Sequence, residues 1–325
     1  MGKERRKGFV RFMQKQKTTV RKPGFGSRAK LDFLKNWQLY IMIFPIIVYF
    51  FLFSYLPMSG VVGAFQDLSP VLGITGSPWV GFKHFQDFFG SYYFWRLLSN
   101  TLLLSLSILA FSFPCPIILA ILLNEVRGKG FRRAVQTISY LPFFISMVVI
   151  CGLIKNFVGM DGIVTRVLML FGMPQQNLLA NPAMFRPIYV ISDIWQNIGF
   201  QSIIYIAALS GVNQELYESA SIDGAGRFKQ TIHVTLPGIA PTIIIMLILA
   251  IGGLLSVGHE KVILLSNTMN REAADVIQSF VYRKGLIEAN YGYSTAVGLF
   301  NSVANTALLL LANGISRKVS ETSLF

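Results

Sequence analysis

Residues 101–123 read TLLLSLSILAFSFPCPIILAILL, a run without a single Asp, Glu, Lys or Arg. As a helix rising about 1.5 Å per residue, such a run is long enough to cross a hydrocarbon core of about 30 Å. Five further runs are of the same kind: 39–58, 138–154, 187–209, 239–257 and 295–315. The chain holds 29 Lys and Arg and 15 Asp and Glu, and only Asp193 falls inside any of the six. The remaining charges occupy loops at about the density of an ordinary soluble surface. The low overall charge, 14% against about 25% in soluble domains, therefore belongs to six segments alone. With 53% hydrophobic residues, a soluble globular domain and a disordered chain are both excluded. The expectation is an all-α integral membrane protein of six transmembrane helices. Cys115 and Cys151 each sit in an apolar run, so they read as small buried hydrophobes rather than as a disulfide or a metal site.

Basic residues orient the bundle. Residues 1–36 carry 12 Lys and Arg, and a topology with the N-terminus inside leaves 20 of the 29 on that side. Both termini are then expected in the cytoplasm: a basic segment 1–36, a six-helix domain 37–318 and a tail 319–325. The net charge of +14 is read as topology and contact with anionic lipid. Nucleic acid is not expected as a partner, because no aromatic interleaving or binding fold accompanies the basic run. Residues 1–36 lack the short n-region and cleavable apolar core of a secretory signal, so the first run reads as an uncleaved helix.

Between the fourth and fifth runs lies a cytoplasmic loop, 210–238, which is no simple tether. Glu215 to Ile222 is helix-forming, with acids in the first turn where the dipole favours them. Asp223-Gly224 signals a break, Ala225 to His233 is helix-compatible again, and Leu236-Pro237 is expected to stop it before the fifth run. The apolar residues Leu216, Ala220, Ile222, Ala225 and Phe228 need cover, from the chain's own helices or from a groove on a partner.

This loop resembles the cytoplasmic signature of the permeases of binding-protein-dependent ABC importers: Glu-Ala-Ala, three residues, Gly, nine residues, Ile, one residue, Leu-Pro. Here it stands as Glu218-Ser219-Ala220, Gly224, Val234 and Leu236-Pro237, with Ser219 and Val234 as mild departures. Ile222-Asp223-Gly224-Ala225, Trp79-Val80-Gly81-Phe82, Asn100-Thr101 and Asn124 resemble the carbohydrate branch, which includes polysaccharide permeases of the LplB type and maltose-importer permeases. The resemblance covers residues 37–318 and implies the type I importer (MetI-like) fold in the bacterial inner membrane. It implies that 215–237 is a coupling element seated in a cleft of a cytoplasmic ATPase. Glu215, Glu218, Ser219, Ala220, Asp223, Gly224, Ala225, Phe228, Leu236 and Pro237 are then the contact and turn residues, and Glu218 pairs with a basic residue of the ATPase.

No Gly-x-x-x-x-Gly-Lys-Ser/Thr phosphate loop is present, so this chain binds no cofactor of its own and is not expected to be an enzyme. ATP and Mg belong to the partner. The implied partners are a second, homologous permease, a dimer of ATPase subunits, an extracytoplasmic solute-binding protein and the carbohydrate itself. The implied cargo is an oligosaccharide or polysaccharide, with acidic chains such as alginate or pectin fragments among those of relatives. Nine Lys and Arg against seven acids in the external loops give this only slight support.

Polar residues within the runs are the candidates for a pathway. Asp193, Gln196, Asn197 and Gln201 share one helical face of the fourth run, and Asn301 and Asn305 lie one turn apart in the sixth. The residues alone leave open whether they line a path or hydrogen-bond between helices. Arg186 is the candidate partner of Asp193. The aromatics Phe85, Phe88, Phe89, Tyr92, Tyr93, Phe94 and Trp95 read as an interfacial belt. The competing function is a secondary transporter driven by an ion gradient, against which stands the lone intramembrane carboxylate. An intramembrane enzyme is disfavoured because His84, His233 and His259 all lie in loops.

Overall fold

The computed structural model describes residues 25–319; the basic segment 1–24 and the tail 320–325 lie outside the described residues. The chain divides into two compact units, Met1–Gly60 and Val61–Phe325. Among the described residues the regular structure is helical, apart from one antiparallel bridge between Gln66 and Trp79.

Among the described residues, five helices are long and apolar enough to cross a membrane: Leu34–Phe65, Tyr92–Glu125, Met147–Leu170, Arg227–Gly252 and Tyr291–Lys318. The helix Pro182–Ser210, which contains the fourth run, matches them in length at 29 residues or ~43 Å. It is not among the five, because Asp193, Gln196, Asn197 and Gln201 lower its hydropathy.

Three of the helical prolines are accommodated in the same way. A helical proline lacks an N–H and its ring presses on the carbonyl four residues back. Three π turns, Phe51–Tyr55, Ile108–Ser112 and Thr231–Thr235, are each followed at the second position by a proline: Pro57, Pro114 and Pro237. In each, the residue before the proline donates to the carbonyl five residues back: Leu56 to Phe51, Phe113 to Ile108, and Leu236 to Thr231. The wider turn takes up one extra residue and relieves the clash, so the helix continues.

This corrects three expectations. Leu236-Pro237 does not end the second loop helix; Arg227–Gln230, the π turn and Leu236–Gly252 form one continuous rod. The fifth run ends as a helix at Gly252 rather than at Val257, because Gly253 turns the chain into the short 3-10 segment Leu254–Ser256. The third run, 138–154, is not one helix. Lys129–Tyr140 passes into a 3-10 turn, Leu141–Phe144, that holds Pro142, and Ser146 then caps a new helix, Met147–Val158, by accepting from the N–H of Val149.

Within Val61–Phe325, the helix Pro182–Ser210 is the central element. One end packs in a cluster of Ile150, Ile154, Phe185, Tyr189, Val262 and Leu265. The other packs through Tyr205 and Leu209 against Ile117, Ala120 and Ile239. The aromatic group is divided rather than being a belt. Phe88 is fully buried among Phe94, Phe280, Tyr293 and Phe300, whereas Tyr92 and Trp95 are exposed. Cys151 is buried, Cys115 is half-buried, and both are free thiols.

Midway along, Gly199 meets the turn at Ser139-Tyr140 so closely that a Cβ would stand 2.1 Å from the Ser139 carbonyl oxygen. Backbone cannot yield as a side chain can. Gly199→Ala is therefore expected to cost about 1–3 kcal/mol through overpacking, read as a lower thermal midpoint in detergent. An unchanged midpoint would show that the two helices do not approach this closely.

Candidate functional site: a helical hairpin joined to a polar cavity

The loop folds as its sequence suggests up to the proline. Asn213 caps the helix Gln214–Ile222 by accepting from the N–H of Glu215 at 3.0 Å. The helix then closes on itself, with Asp223 N–H donating to Ser219 O and Ala225 N–H to Ala220 O at 3.1 and 2.9 Å. Gly224 sits at φ +75°, a left-handed conformation that a side chain would strain. Gln230 Nε2 fastens the turn from the far side, donating to Ser221 Oγ and Ala225 O, and Tyr217 and Thr235 share a hydroxyl hydrogen bond of 3.0 Å. The loop is thus a preformed hairpin of two helices. Glu215, Glu218, Ser219 and Asp223 are exposed on it, Ala220 and Ala225 half-buried. Ile222 and Phe228 are 87% and 78% exposed, so no part of the described chain covers them. Pro237 lies just past the π turn within the helix Arg227–Gly252, and Leu236 joins the cluster of Ile117, Tyr205, Leu209 and Ile239. Arg227 pairs with Glu125 at 2.8 Å across the surface, a contact worth at most about 1 kcal/mol at this exposure.

The helices on either side of this loop line one cavity of ≈ 190 Å³. Asp193 and Gln201 come from Pro182–Ser210, Ser105 and Ser112 from the second crossing, and Ala250, Gly253 and Leu254 from the end of the fifth. Asp193 accepts from Ser112 Oγ and from Asn197 Nδ2. It is not paired with Arg186, which donates to Asn100 Oδ1 at 2.9 Å instead. Gln196 is buried away from this cavity, and its Oε1 has no partner. Asn301 and Asn305 are buried as well. Asn305 Oδ1 accepts from the N–H of Leu255 and its amide donates to Ser256 Oγ, which Asn301 also reaches. From the opposite side Ser105 Oγ donates to Leu254 O. The helix break at 253–256 is thereby satisfied by side chains, so these two asparagines hold the cavity's wall without lining it.

Asn100 and Thr101 acquire a physical reason. Asn100 Nδ2 donates to the carbonyls of Glu272 and Asp275, and Thr101 Oγ1 accepts from the N–H of Ile277. Asp275, almost fully buried, is held by both guanidinium arms of Arg283 and by Ser279. This knot ties the helix Tyr92–Glu125 to the segment before Tyr291–Lys318. Among the described residues no cluster of His, Cys, Asp and Glu could hold a metal.

The sequence reading missed Lys261. It is 3% exposed, its Nζ has no hydrogen-bond partner, and it lies 4.8 Å from the centroid of the Tyr189 ring. A lysine in a loop reads as solvated; only its packing in the cluster of Cys151 and Tyr189 shows otherwise.

A loop hairpin joined directly to two walls of a polar cavity, in a bundle of apolar helices, defines a membrane-embedded transport component. The chain belongs to the family described as binding-protein-dependent transport system inner membrane component, whose pattern matches residues 112–321. It is 45% identical over 288 residues to Protein LplB of Bacillus subtilis (strain 168), covering 88% of this chain and 91% of that protein. It is 44% identical over 299 residues to the polygalacturonan/rhamnogalacturonan transport system permease protein YteP of the same organism, covering 92% and 93%. Among solved structures it matches a bacterial ABC transporter involved in the import of the acidic polysaccharide alginate. That match has a TM-score of 0.83 at 44% identity, over 90% of this chain and 99% of that one. Family membership places the chain with permease subunits rather than enzymes and gives no support to an ion-gradient transporter.

Burial disfavours the charged form of Lys261 and lowers its pKa, with the neighbouring charges of Asp193 and Cys151 opposing. The unfolded chain then binds a proton that the folded chain releases, so stability rises with pH between the folded value and the ordinary lysine value near 10.4. Lys261→Met is expected to be more stable at pH 7 by about 1 kcal/mol or more and to lose this slope. Thermal unfolding of both proteins from pH 7 to 9.5 measures the difference, and parallel profiles would refute it.

Proposed function

We propose that this chain is one permease of an ATP-driven importer of oligosaccharides, acidic ones in particular, and that it couples to its ATPase through 215–237. The observation that carries the reading is the exposed, preformed hairpin whose two flanking helices line one polar cavity. The kinship with permeases named for polygalacturonan/rhamnogalacturonan and with the alginate transporter supports a carbohydrate cargo with carboxylates. A related alginate transporter is solved in complex with an alginate pentasaccharide-bound periplasmic protein, which supports a binding protein as the donor of cargo.

In this reading Pro182–Ser210 completes a six-helix bundle with both termini in the cytoplasm. Ile222 and Phe228 enter a cleft of the ATPase, Glu218 pairs with a base there, and Gly224 permits the turn. ATP and Mg act in the ATPase dimer, whose two clefts call for a second permease beside this one. Closure of that dimer moves the hairpin and shifts the bundle between inward and outward openings. Asp193, Asn197 and Gln201 offer acceptors and amides to sugar hydroxyls as the cargo passes.

The test is ATPase activity of the assembled complex in lipid, with its loaded binding protein, for wild type and Glu218→Lys. Stimulation by loaded binding protein is expected in the wild type and a loss of at least tenfold in the variant, with the complex still assembled. Full stimulation of the variant would remove the loop from coupling, and uptake that follows a proton or sodium gradient without ATP would overturn the importer reading.

A further inference from the structure

A second cavity, of ≈ 640 Å³, lies apart from the one that Asp193 lines. It is an open groove where the helices Tyr92–Ser107 and Pro182–Ser210 begin, closed on a third side by Glu272-Ala273. Its volume falls within the range of about 300–1,000 Å³ usual for small-molecule sites. Two guanidinium groups line it, those of Arg96 and Arg186. Neither has a carboxylate within ion-pair distance among the described residues, where the ion pairs are Arg227–Glu125, Arg283–Asp275 and Lys284–Glu288. Both Nε–H groups are buried without an acceptor. Buried donors are nearly always satisfied, so a missing acceptor on each of two neighbouring arginines needs an explanation.

The arginines are held in place. Arg186 Nη2 donates to Asn100 Oδ1 at 2.9 Å, and Asn100 is itself fixed by the carbonyls of Glu272 and Asp275. The Arg96 guanidinium lies over the rings of Tyr92 and Tyr93, 5.4 and 5.1 Å from their centroids. A planar fork of this kind matches a carboxylate in two-point geometry. Beside the two cations stand two aromatic faces with little cover: Tyr92 is 74% exposed and Trp95 72%. Such faces suit the apolar C–H side of a pyranose ring. Glu272 is the one acid in the groove, which leaves an excess of one positive charge.

We propose that this groove is a binding subsite for one acidic sugar unit. Arg96 and Arg186 hold its carboxylate and Trp95 and Tyr92 its ring, on the side from which cargo arrives. The inference rests on the acidic-carbohydrate reading above and adds to it a place of first contact, distinct from the Asp193 cavity. An anionic carboxylate beside Asp193 alone would be repelled, whereas here the balance of charge is reversed. The opposite order of sites would be expected for a neutral cargo, which gains nothing from unpaired guanidinium groups.

The experiment uses the whole transporter complex in nanodiscs of phosphatidylcholine, titrated with trigalacturonate in the absence of the binding protein. Saturable binding is expected in the wild type. The double variant Arg96→Gln with Arg186→Gln should weaken it by at least tenfold, and Arg96→Lys with Arg186→Lys, which keeps the charge but not the fork, by an intermediate factor. Trp95→Ala should weaken it severalfold, while Glu272→Gln should tighten it. Size-exclusion chromatography of each variant establishes that the complex is assembled. No binding to the wild type, or binding unchanged in the double Gln variant, would overturn the subsite even where loaded binding protein still stimulates the ATPase. Loss of that stimulation with trigalacturonate binding intact would instead overturn the importer reading. Phosphatidylglycerol retained through purification by the wild type but not by the double Gln variant, with no sugar bound by either, would assign the groove to a lipid headgroup and overturn the proposal.

Discussion

In hydrocarbon, a backbone N–H or C=O that loses its helical partner has no water to take its place. Four polar side chains in the apolar part of this chain, Asn100, Thr101, Ser105 and Asn305, answer to that constraint. Where Gly253 ends the helix Arg227–Gly252, Asn305 accepts from Leu255 and Ser105 donates to Leu254, each from a neighbouring helix. The break can then stand at a cavity wall without exposing backbone to lipid. The same logic governs the far end, where Asn100 and Thr101 take up carbonyls and an N–H of the irregular segment between Arg227–Gly252 and Tyr291–Lys318. These side chains do for the membrane interior what water does for a surface loop.

Once the breaks are satisfied, the remaining polar groups stand out. Asp193 keeps two donors and faces a cavity, Gln196 carries an unpartnered oxygen, and Lys261 carries an unpartnered ammonium against Tyr189. Tyr189 and Asp193 are one helical turn apart on Pro182–Ser210, so the amine of Lys261 lies one turn from the lone intramembrane carboxylate. Leaving the two apart costs desolvation energy at Lys261 that an aromatic face returns only in part. Stability and polarity are therefore in tension in this corner of the fold, as is common where a binding surface has to be kept open.

Much of this was legible in the sequence, and the failures have particular causes. Hydropathy and the loop signature gave the helices and the hairpin, because uncharged runs and the Asp223-Gly224 break are local signals. Helix ends were less legible. A proline ordinarily stops a helix, but at Pro57, Pro114 and Pro237 a π turn absorbs it, and no composition rule signals that one extra residue. The third run failed for the opposite reason: its apolar content is continuous while its backbone turns at Pro142 and Ser146. Asn100 and Thr101 entered the sequence reading by resemblance alone, since their partners lie more than 170 positions away. Lys261 escaped it because charge in a loop carries no mark of burial.

The continuity through Pro237 has a mechanical consequence. Arg227–Gly252 is one helix of 26 residues, ~39 Å long, so its first turn belongs to the exposed hairpin and its last borders the cavity. The other strut, Pro182–Ser210, leaves the hairpin at Gly211 and carries Asp193 and Gln201 to the same cavity. A stopped helix at Leu236-Pro237 would have placed a hinge between the loop and the bundle, and a push on the hairpin would bend that hinge. With the π turn carrying the helix on through Pro237 and Gly238, the first break in this strut is at Gly252-Gly253, at the cavity itself. In the coupling proposed above, displacement applied at Phe228 would reach the wall that Ser105 and Asn305 pin, and an exchange of these side-chain hydrogen bonds would let that wall move.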